Sequence, residues 1–214
     1  MSAPVTVLLV DDHAVVREGY RRLLEESGRI SVIGEAGSAG EAYQQFCELA
    51  PNVVVMDIGL PGVSGIEGMR RMLARQPDAR VLMFSMHEDA IFVRRSLEAG
   101  AAGYLTKASA PRVLVEAVDA VASGRQFLSH DVAQMLALHP SSITAPSHNA
   151  LSAREFEVLK LLVQGSTAAE IAQHLGLNQK TIANIQSSIK QKLGAVNIAQ
   201  LIRAATRLGL VPPS

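Results

Sequence analysis

The chain of 214 residues contains a single cysteine, Cys47, so it cannot close a disulfide on itself, and a reducing compartment is expected. Cys47 follows Tyr43-x-x-Phe46, where a small apolar side chain facing a sheet is the reading, ahead of a reactive thiol. No apolar stretch approaches the roughly 18 residues that cross a bilayer. No basic segment precedes Val5 to Val10 either, so neither a span nor a signal peptide is expected and the chain reads as cytoplasmic. The six histidines, His13, His87, His130, His139, His148 and His174, form no i,i+4 pair and have no cysteine at ligand spacing, which argues against a transition-metal site. Net charge is missing as well, since 20 Lys and Arg face 20 Asp and Glu.

That neutrality is uneven. Residues 1 to 137 hold 13 Lys and Arg against 17 Asp and Glu, a net of −4, whereas residues 151 to 214 hold 7 against 3, a net of +4. A basic back half is a weak pointer to a polyanion. With 48% hydrophobic and 19% charged side chains, the chain has ample material for a buried core in one or two globular domains.

Four short runs rich in Val, Ile, Leu and Met (Val5 to Val10, Val53 to Met56, Val81 to Phe84, Ala102 to Leu105) and the weaker Ser31 to Glu35 are each followed by helical periodicity. The helical stretches lie near 14–26, 38–49, 64–75, 88–99 and 111–123, with Ser38 and Pro111 as starts and Gly100 and Gly124 as stops. Strand alternating with helix predicts a five-stranded, parallel, doubly wound α/β domain over residues 1–125. A short helix, Ser129 to Leu138, comes next within a connecting segment, 126–150. Its end, His139 to Ala150, strings together two Pro, four Ser or Thr and no Lys, Arg, Asp or Glu, and reads as a linker. Residues 151–214 carry no strand pattern; breaks at Gly165, Gly176-Leu177-Asn178 and Gly194 predict a small all-α domain of four helices.

In an open α/β sheet the ligand site lies beyond the carboxyl ends of the strands, which places Asp11, Asp12, Asp57, Ser85 and Lys107 around one crevice. Three carboxylates held together repel one another. The usual remedy is a hard divalent cation with oxygen ligands, which describes Mg²⁺, and Lys107 supplies a further compact positive charge.

These residues resemble a family. Asp11-Asp12-His13, Asp57-Ile58-Gly59-Leu60-Pro61-Gly62, Ser85 and Gly103-Tyr104-Leu105-Thr106-Lys107 are similar to the receiver domain of bacterial two-component response regulators, over residues 5 to 124. The resemblance implies that Asp57 accepts a phosphoryl group from a histidine kinase. It also implies that Asp11 or Asp12, with Asp57 and the Gly59 carbonyl, holds Mg²⁺, and that Lys107 pairs with phosphoryl oxygens. Ser85 then hydrogen-bonds the phosphoryl group and Tyr104 turns inward behind it, the two acting as a switch; Met86 beside Ser85 is bulky enough to shield the group from water. A phosphatase acting on external substrates is disfavoured, because Gly59 stands two residues after Asp57 where such enzymes carry a second Asp. The chain is read as a non-enzyme that accepts phosphate and releases it slowly.

In the back half, Ser152 and Glu155 form a capping-box pattern ahead of the stripe Val158, Leu159, Leu161 and Leu162. Glu170 to Leu177, followed by Asn178, reads as helix, tight turn, N-cap and second helix. Together with Leu151-Ser152-x-Arg154-Glu155-x-Glu157-Val158-Leu159, Glu170-Ile171-Ala172, Thr181-Ile182 and Lys192-Leu193-Gly194, this resembles the LuxR-type output domain of the NarL/FixJ class, over residues 151 to about 209. Helical stepping puts Ile182, Ile185, Ile189 and Leu193 on a core stripe. The candidate DNA contacts are Lys180, Thr181, Asn184, Ser187, Ser188, Lys190, Gln191 and Lys192. Ala183 and Ile185 depart from the family, which commonly has Lys and His there, and weaker, less salt-sensitive DNA binding is expected. The last helix, Asn197 to Leu208, carries Ile198, Leu201, Ile202, Ala205 and Leu208 as an inward stripe; it either supports a homodimer on paired half-sites or is a fourth core helix.

The expectation is a phosphorylation-activated, DNA-binding transcriptional regulator. The alternative is a phospho-gated adaptor whose helical domain binds a protein or forms mixed dimers.

Overall fold

The computed structural model describes residues 3–86, 90–108, 111–138 and 151–207, in two compact units, Met1–Pro140 and Ser141–Ser214. The first unit alternates strand and helix: β1 (Val5–Val10), α1 (Ala14–Glu26), β2 (Ile30–Ala36), α2 (Ala39–Leu49), β3 (Val53–Met56), α3 (Gly65–Arg75), β4 (Val81–Ser85), α4 (Ala90–Glu98), β5 (Gly103–Thr106), α5 (Pro111–Ala122), β6 (Phe127–Leu128) and α6 (His130–Leu138). The strands form one sheet in the order β2-β1-β3-β4-β5-β6, every neighbour parallel.

β3 and β4 bury every residue, which requires a sheet covered on both faces. Alternate residues part to the two sides. On one, Val7, Leu9, Val55, Leu82, Phe84 and Leu105 pack with Leu24 of α1 and with Leu114, Ala117, Val118 and Val121 of α5. On the other, Leu8, Val10, Val54, Met56, Met83 and Tyr104 are equally buried. Each large apolar side chain so covered contributes about 1.5–3 kcal/mol.

The helix signals act through the backbone. Ser38 caps α2 by accepting from the Glu41 amide at 3.2 Å. Gly100 and Gly124 follow α4 and α5 at φ of +101° and +78°, a left-handed turn that favours glycine.

The apolar pattern marks five strands, and six are found among the described residues. Phe127–Leu128 pairs with Gly103 and Tyr104 at the sheet edge, and two residues are too few to carry a readable period. Cys47 corrects a second expectation. It is exposed, because Phe46, about 100° away around the helix, takes the inward position. The linker 139–150, residues 87–89 and Leu208 lie outside the described residues.

The second unit consists of α7 (Ala153–Val163), α8 (Ala168–His174), α9 (Gln179–Leu193) and α10 (Ile198–Arg207). Capping boxes start α7, through Ser152 and Glu155, and α8, through Thr167 and Glu170. Phe156, Leu159 and Leu162 of α7, Ile171 of α8, Ile182 and Ile189 of α9 and Leu201 of α10 are buried. Leu161, Ile185, Leu193 and Ile202 are half-buried. Ile198 corrects the stripe expected on the last helix: it opens α10 and is 48% exposed.

Candidate functional site

Three strands of the sheet, β1, β3 and β5, are each followed directly by a charged residue, and the backbone bonding runs one step past the strand ends. The Asp57 amide donates to the Val10 carbonyl at 2.9 Å, and the Lys107 amide donates to Ser85 at 2.9 Å. The side chains of Asp11, Asp57 and Lys107 therefore meet at one edge. Lys107 Nζ donates to Asp57 Oδ2 at 2.6 Å and to Asp11 Oδ2 as well. All three groups are buried, Lys107 to 7% side-chain exposure. The second oxygen of each carboxylate is held by backbone: Asp11 Oδ1 by the His13 amide at 2.8 Å, Asp57 Oδ1 by the Gly59 amide at 3.1 Å.

Burial lowers the affinity of the Lys107 ammonium for its proton. The Asp57 and Asp11 carboxylates outweigh that effect and hold its pKa above the ordinary lysine value. Asp12, its side chain 32% exposed, stands beside them and meets His13 Nδ1 at 2.8 Å. One lysine thus serves two carboxylates, with a third beside them. The surplus negative charge and the oxygen-rich donor set fit a hard cation such as Mg²⁺. Ligand atoms of Asp11, Asp12 and His13 lie within 4.8 Å of one another; Asp57 is joined to this group through Lys107.

Ser85, wholly buried, ends β4 opposite Thr106, and Tyr104, also wholly buried, lies opposite Met83. Met86 is 71% exposed.

Three features behind the pocket were not legible in the sequence. Arg17 donates to the Asp11 carbonyl and reaches Glu35 at 3.3 Å, and Arg21 reaches the same Glu35 at 2.9 Å, so β2 braces the loop that carries Asp11 and Asp12. Gly65, the first residue of α3, backs onto the phosphoacceptor candidate. A Cβ there would lie 2.8 Å from the Asp57 carbonyl carbon and on top of its oxygen. Thr106 Oγ1 donates to Asp131 Oδ2 at 2.7 Å, joining the residue before Lys107 to the first turn of α6.

In the second unit, Arg154 ties the helix-turn-helix together by donating to the Leu175 carbonyl at 2.9 Å and to Glu157 at 2.7 Å. Asn178 caps α9, taking the Thr181 amide at 2.7 Å and the Thr181 hydroxyl at 2.9 Å. Of the candidate DNA contacts, Lys180, Asn184, Ser187 and Gln191 are exposed on α9, and Thr181 and Lys190 are half-buried. Ser188 and Lys192 face inward to Glu155, each at 2.6 Å. A wheel projection of α9 cannot reveal that pairing, because the carboxylate comes from α7.

Residues 7–119 match the family described as response regulator receiver domain, and residues 149–205 match the bacterial regulatory proteins of the luxR family. The chain belongs to the two-component response regulators of the NarL/FixJ class. It is 40% identical to the transcriptional activator protein ExaE of Pseudomonas putida over 208 residues, 96% of this chain and 97% of that one. It is 36% identical to the response regulator UvrY of Escherichia coli K12 over 210 residues, covering 96% and 95%. A solved RcsB–DNA complex is similar at a TM-score of 0.60 and 27% identity, over 95% of this chain and 98% of that one. This response regulator is accordingly a phosphorylation-dependent, DNA-binding regulator of transcription, a receiver followed by a helix-turn-helix output unit. Neither comparison favours the protein-binding adaptor. Among the described residues no helix is long and apolar enough to cross a membrane.

Proposed function

We propose that Asp57 is the phosphoacceptor of this regulator, that a histidine kinase is the donor, and that the phosphorylated chain binds duplex DNA as a homodimer in the cytoplasm. The observation that carries the assignment is the buried lysine bridge. Lys107 already neutralises the oxygens of Asp57 and Asp11 where a transferring phosphoryl group would need its charge offset.

An Asp57 carboxylate oxygen bonds to the phosphorus of the kinase's phosphohistidine as its P–N bond breaks and the electron pair returns to the imidazole; Lys107 then exchanges one carboxylate contact for a phosphoryl oxygen. Ser85, at the end of the neighbouring strand, follows the new charge of about −1.5 to −2, and Tyr104 occupies the interior behind it. Asp11, Asp12, Asp57 and the Gly59 carbonyl are the groups assigned to hold Mg²⁺, which when bound offsets phosphoryl charge. The chain releases its phosphate slowly and turns over no external substrate, since no acid-base carboxylate stands two residues beyond Asp57.

On the output side, Lys180, Asn184, Ser187 and Gln191 are assigned to the groove face of α9 and Lys190 to the phosphates. Ala183 is exposed where relatives of the class commonly carry a cation, so binding is less salt-sensitive than is usual.

The test has two stages. Incubation with acetyl phosphate and Mg²⁺ should add one phosphoryl group by intact mass to the wild type and none to Asp57→Asn; equal uptake by both would remove Asp57. Duplex selection from a random pool, with and without beryllofluoride, should enrich a two-fold symmetric site in the activated sample. No enrichment in a sample shown to bind the mimic would remove the DNA assignment.

A further inference from the structure

Glu155 carries three bonds on one carboxylate and a fourth from its own amide. As the third residue of α7 it accepts the Ser152 amide at 2.6 Å, while its own amide donates to Ser152 Oγ at 3.2 Å, closing the capping box. Its Oε1 then accepts the Ser188 hydroxyl at 2.6 Å, and its Oε2 meets Lys192 Nζ at 2.6 Å. Ser188 and Lys192 lie one helical turn apart on α9. Two bonds from one face of α9 to a single carboxylate hold that face turned toward α7. The Glu155 residue is 7% exposed, whereas the Lys192 side chain keeps 32% exposure.

We propose that Glu155 is a positioning residue for DNA recognition: through Ser188 and Lys192 it sets the rotation of α9, and it withdraws the charge of Lys192 from the phosphate contacts. The proposal rests on the DNA-binding reading above. Asn178, the residue before α9, caps its first turn, and Gly194 at φ +63° ends it one residue after Leu193. Glu155 ties α7 to α9 through side chains at two points. Lys180 and Gln191 present polar groups from opposite ends of α9, so a small rotation about the axis displaces both together.

The substitution Glu155→Gln separates the two tasks. Glutamine satisfies a capping box and leaves the start of α7 intact, but it cannot neutralise Lys192. Lys192→Met removes the same tie from the other side. In the full-length chain loaded with Mg²⁺ and beryllofluoride, the salt dependence of duplex binding is read for Lys190→Met and Lys192→Met. Lys190→Met should lower the slope by about 0.9 per protomer, as loss of a phosphate contact does, and Lys192→Met should leave it unchanged. Both Glu155→Gln and Lys192→Met should lower discrimination between the selected site and a scrambled duplex about tenfold. A slope that falls equally for Lys190→Met and Lys192→Met would overturn the proposal.

Amide exchange read without DNA supplies the second measurement. Protection of residues 179–193 should fall in each single variant and no further in the double variant, while residues 153–157 stay protected in Lys192→Met. Unchanged exchange over 179–193 in Glu155→Gln would overturn the anchoring itself. Lost protection in a chain whose wild type selects no duplex would sink the DNA reading and leave the anchoring of α9 supported.

Discussion

Both units set a lysine against a buried carboxylate, and the two arrangements do opposite things. In the receiver unit one ammonium is shared by Asp11 and Asp57 with Asp12 alongside, so the pocket keeps a surplus of negative charge. In the output unit Lys192 meets one partner, Glu155, whose other lone pairs are taken by Ser152 and Ser188, so charge and hydrogen bonds both close. The first leaves negative charge that a hard cation such as Mg²⁺ would offset. The second holds two helices in register. Ion-pair chemistry alone does not separate function from scaffold; the balance of charge around the pair does.

The sharpest way to break the comparison is Lys107→Met. It leaves two buried carboxylates facing each other, and loss of one partner of a buried pair costs about 3–5 kcal/mol. Tyr20, Tyr43 and Tyr104 all lie in the receiver and Trp is absent, so tyrosine fluorescence during urea unfolding reads this unit selectively. Gly65→Ala should come next, at about 1–3 kcal/mol by the same probe, because a methyl group at the start of α3 displaces the Asp57 carbonyl. Phosphoryl uptake from acetyl phosphate should fall with it; uptake and stability both unchanged would show that α3 gives way freely.

Lys192→Met should cost less than either. The side chain is 32% exposed, and solvent screening limits such a pair to about 1 kcal/mol, read by amide exchange over α7 and α9. The smallest effect is a contrast in pH. The Glu155 carboxyl is opposed by burial, yet Lys192, Ser188 and Ser152 hold its pKa below the ordinary value. A depressed carboxylate gives stability that is present above its unfolded pKa and lost as pH falls through the folded one. Protection of α9 should therefore decline on acidification below about pH 4.3. Lys107, whose pKa is raised, behaves inversely: its contribution is complete below the unfolded value of about 10.4 and is lost as pH climbs through the folded one. Two units that loosened at the same end of the pH scale would contradict the contrast.

Much of the receiver was legible because polar residues ending apolar strands are conspicuous, and strand order then carries Asp11, Asp57 and Lys107 together. What escaped depends on approach between elements distant in sequence. Gly65 reads as an ordinary helix start until the Asp57 carbonyl is seen against it. Ser188 and Lys192 sit correctly on the wheel of α9, and only the arrival of α7 turns them from groove candidates into anchors. Cys47 was misplaced by a single step, since a short amphipathic stretch around Phe46 fits either phase. β6 is set by its pairing with Gly103 and Tyr104, which no local period records.

That sixth strand bears on how such proteins can be recombined. Phe127 and Leu128 complete the sheet edge, Arg94 of α4 reaches the Leu136 carbonyl at 3.4 Å, and Thr106 holds Asp131. A chimera joined at residue 125 would strip the edge from β5 and leave Thr106, wholly buried, without Asp131. A joint made after Leu138 would carry the receiver across whole, so a module boundary for swapping output units lies a strand and a helix later than the five-strand repeat would place it.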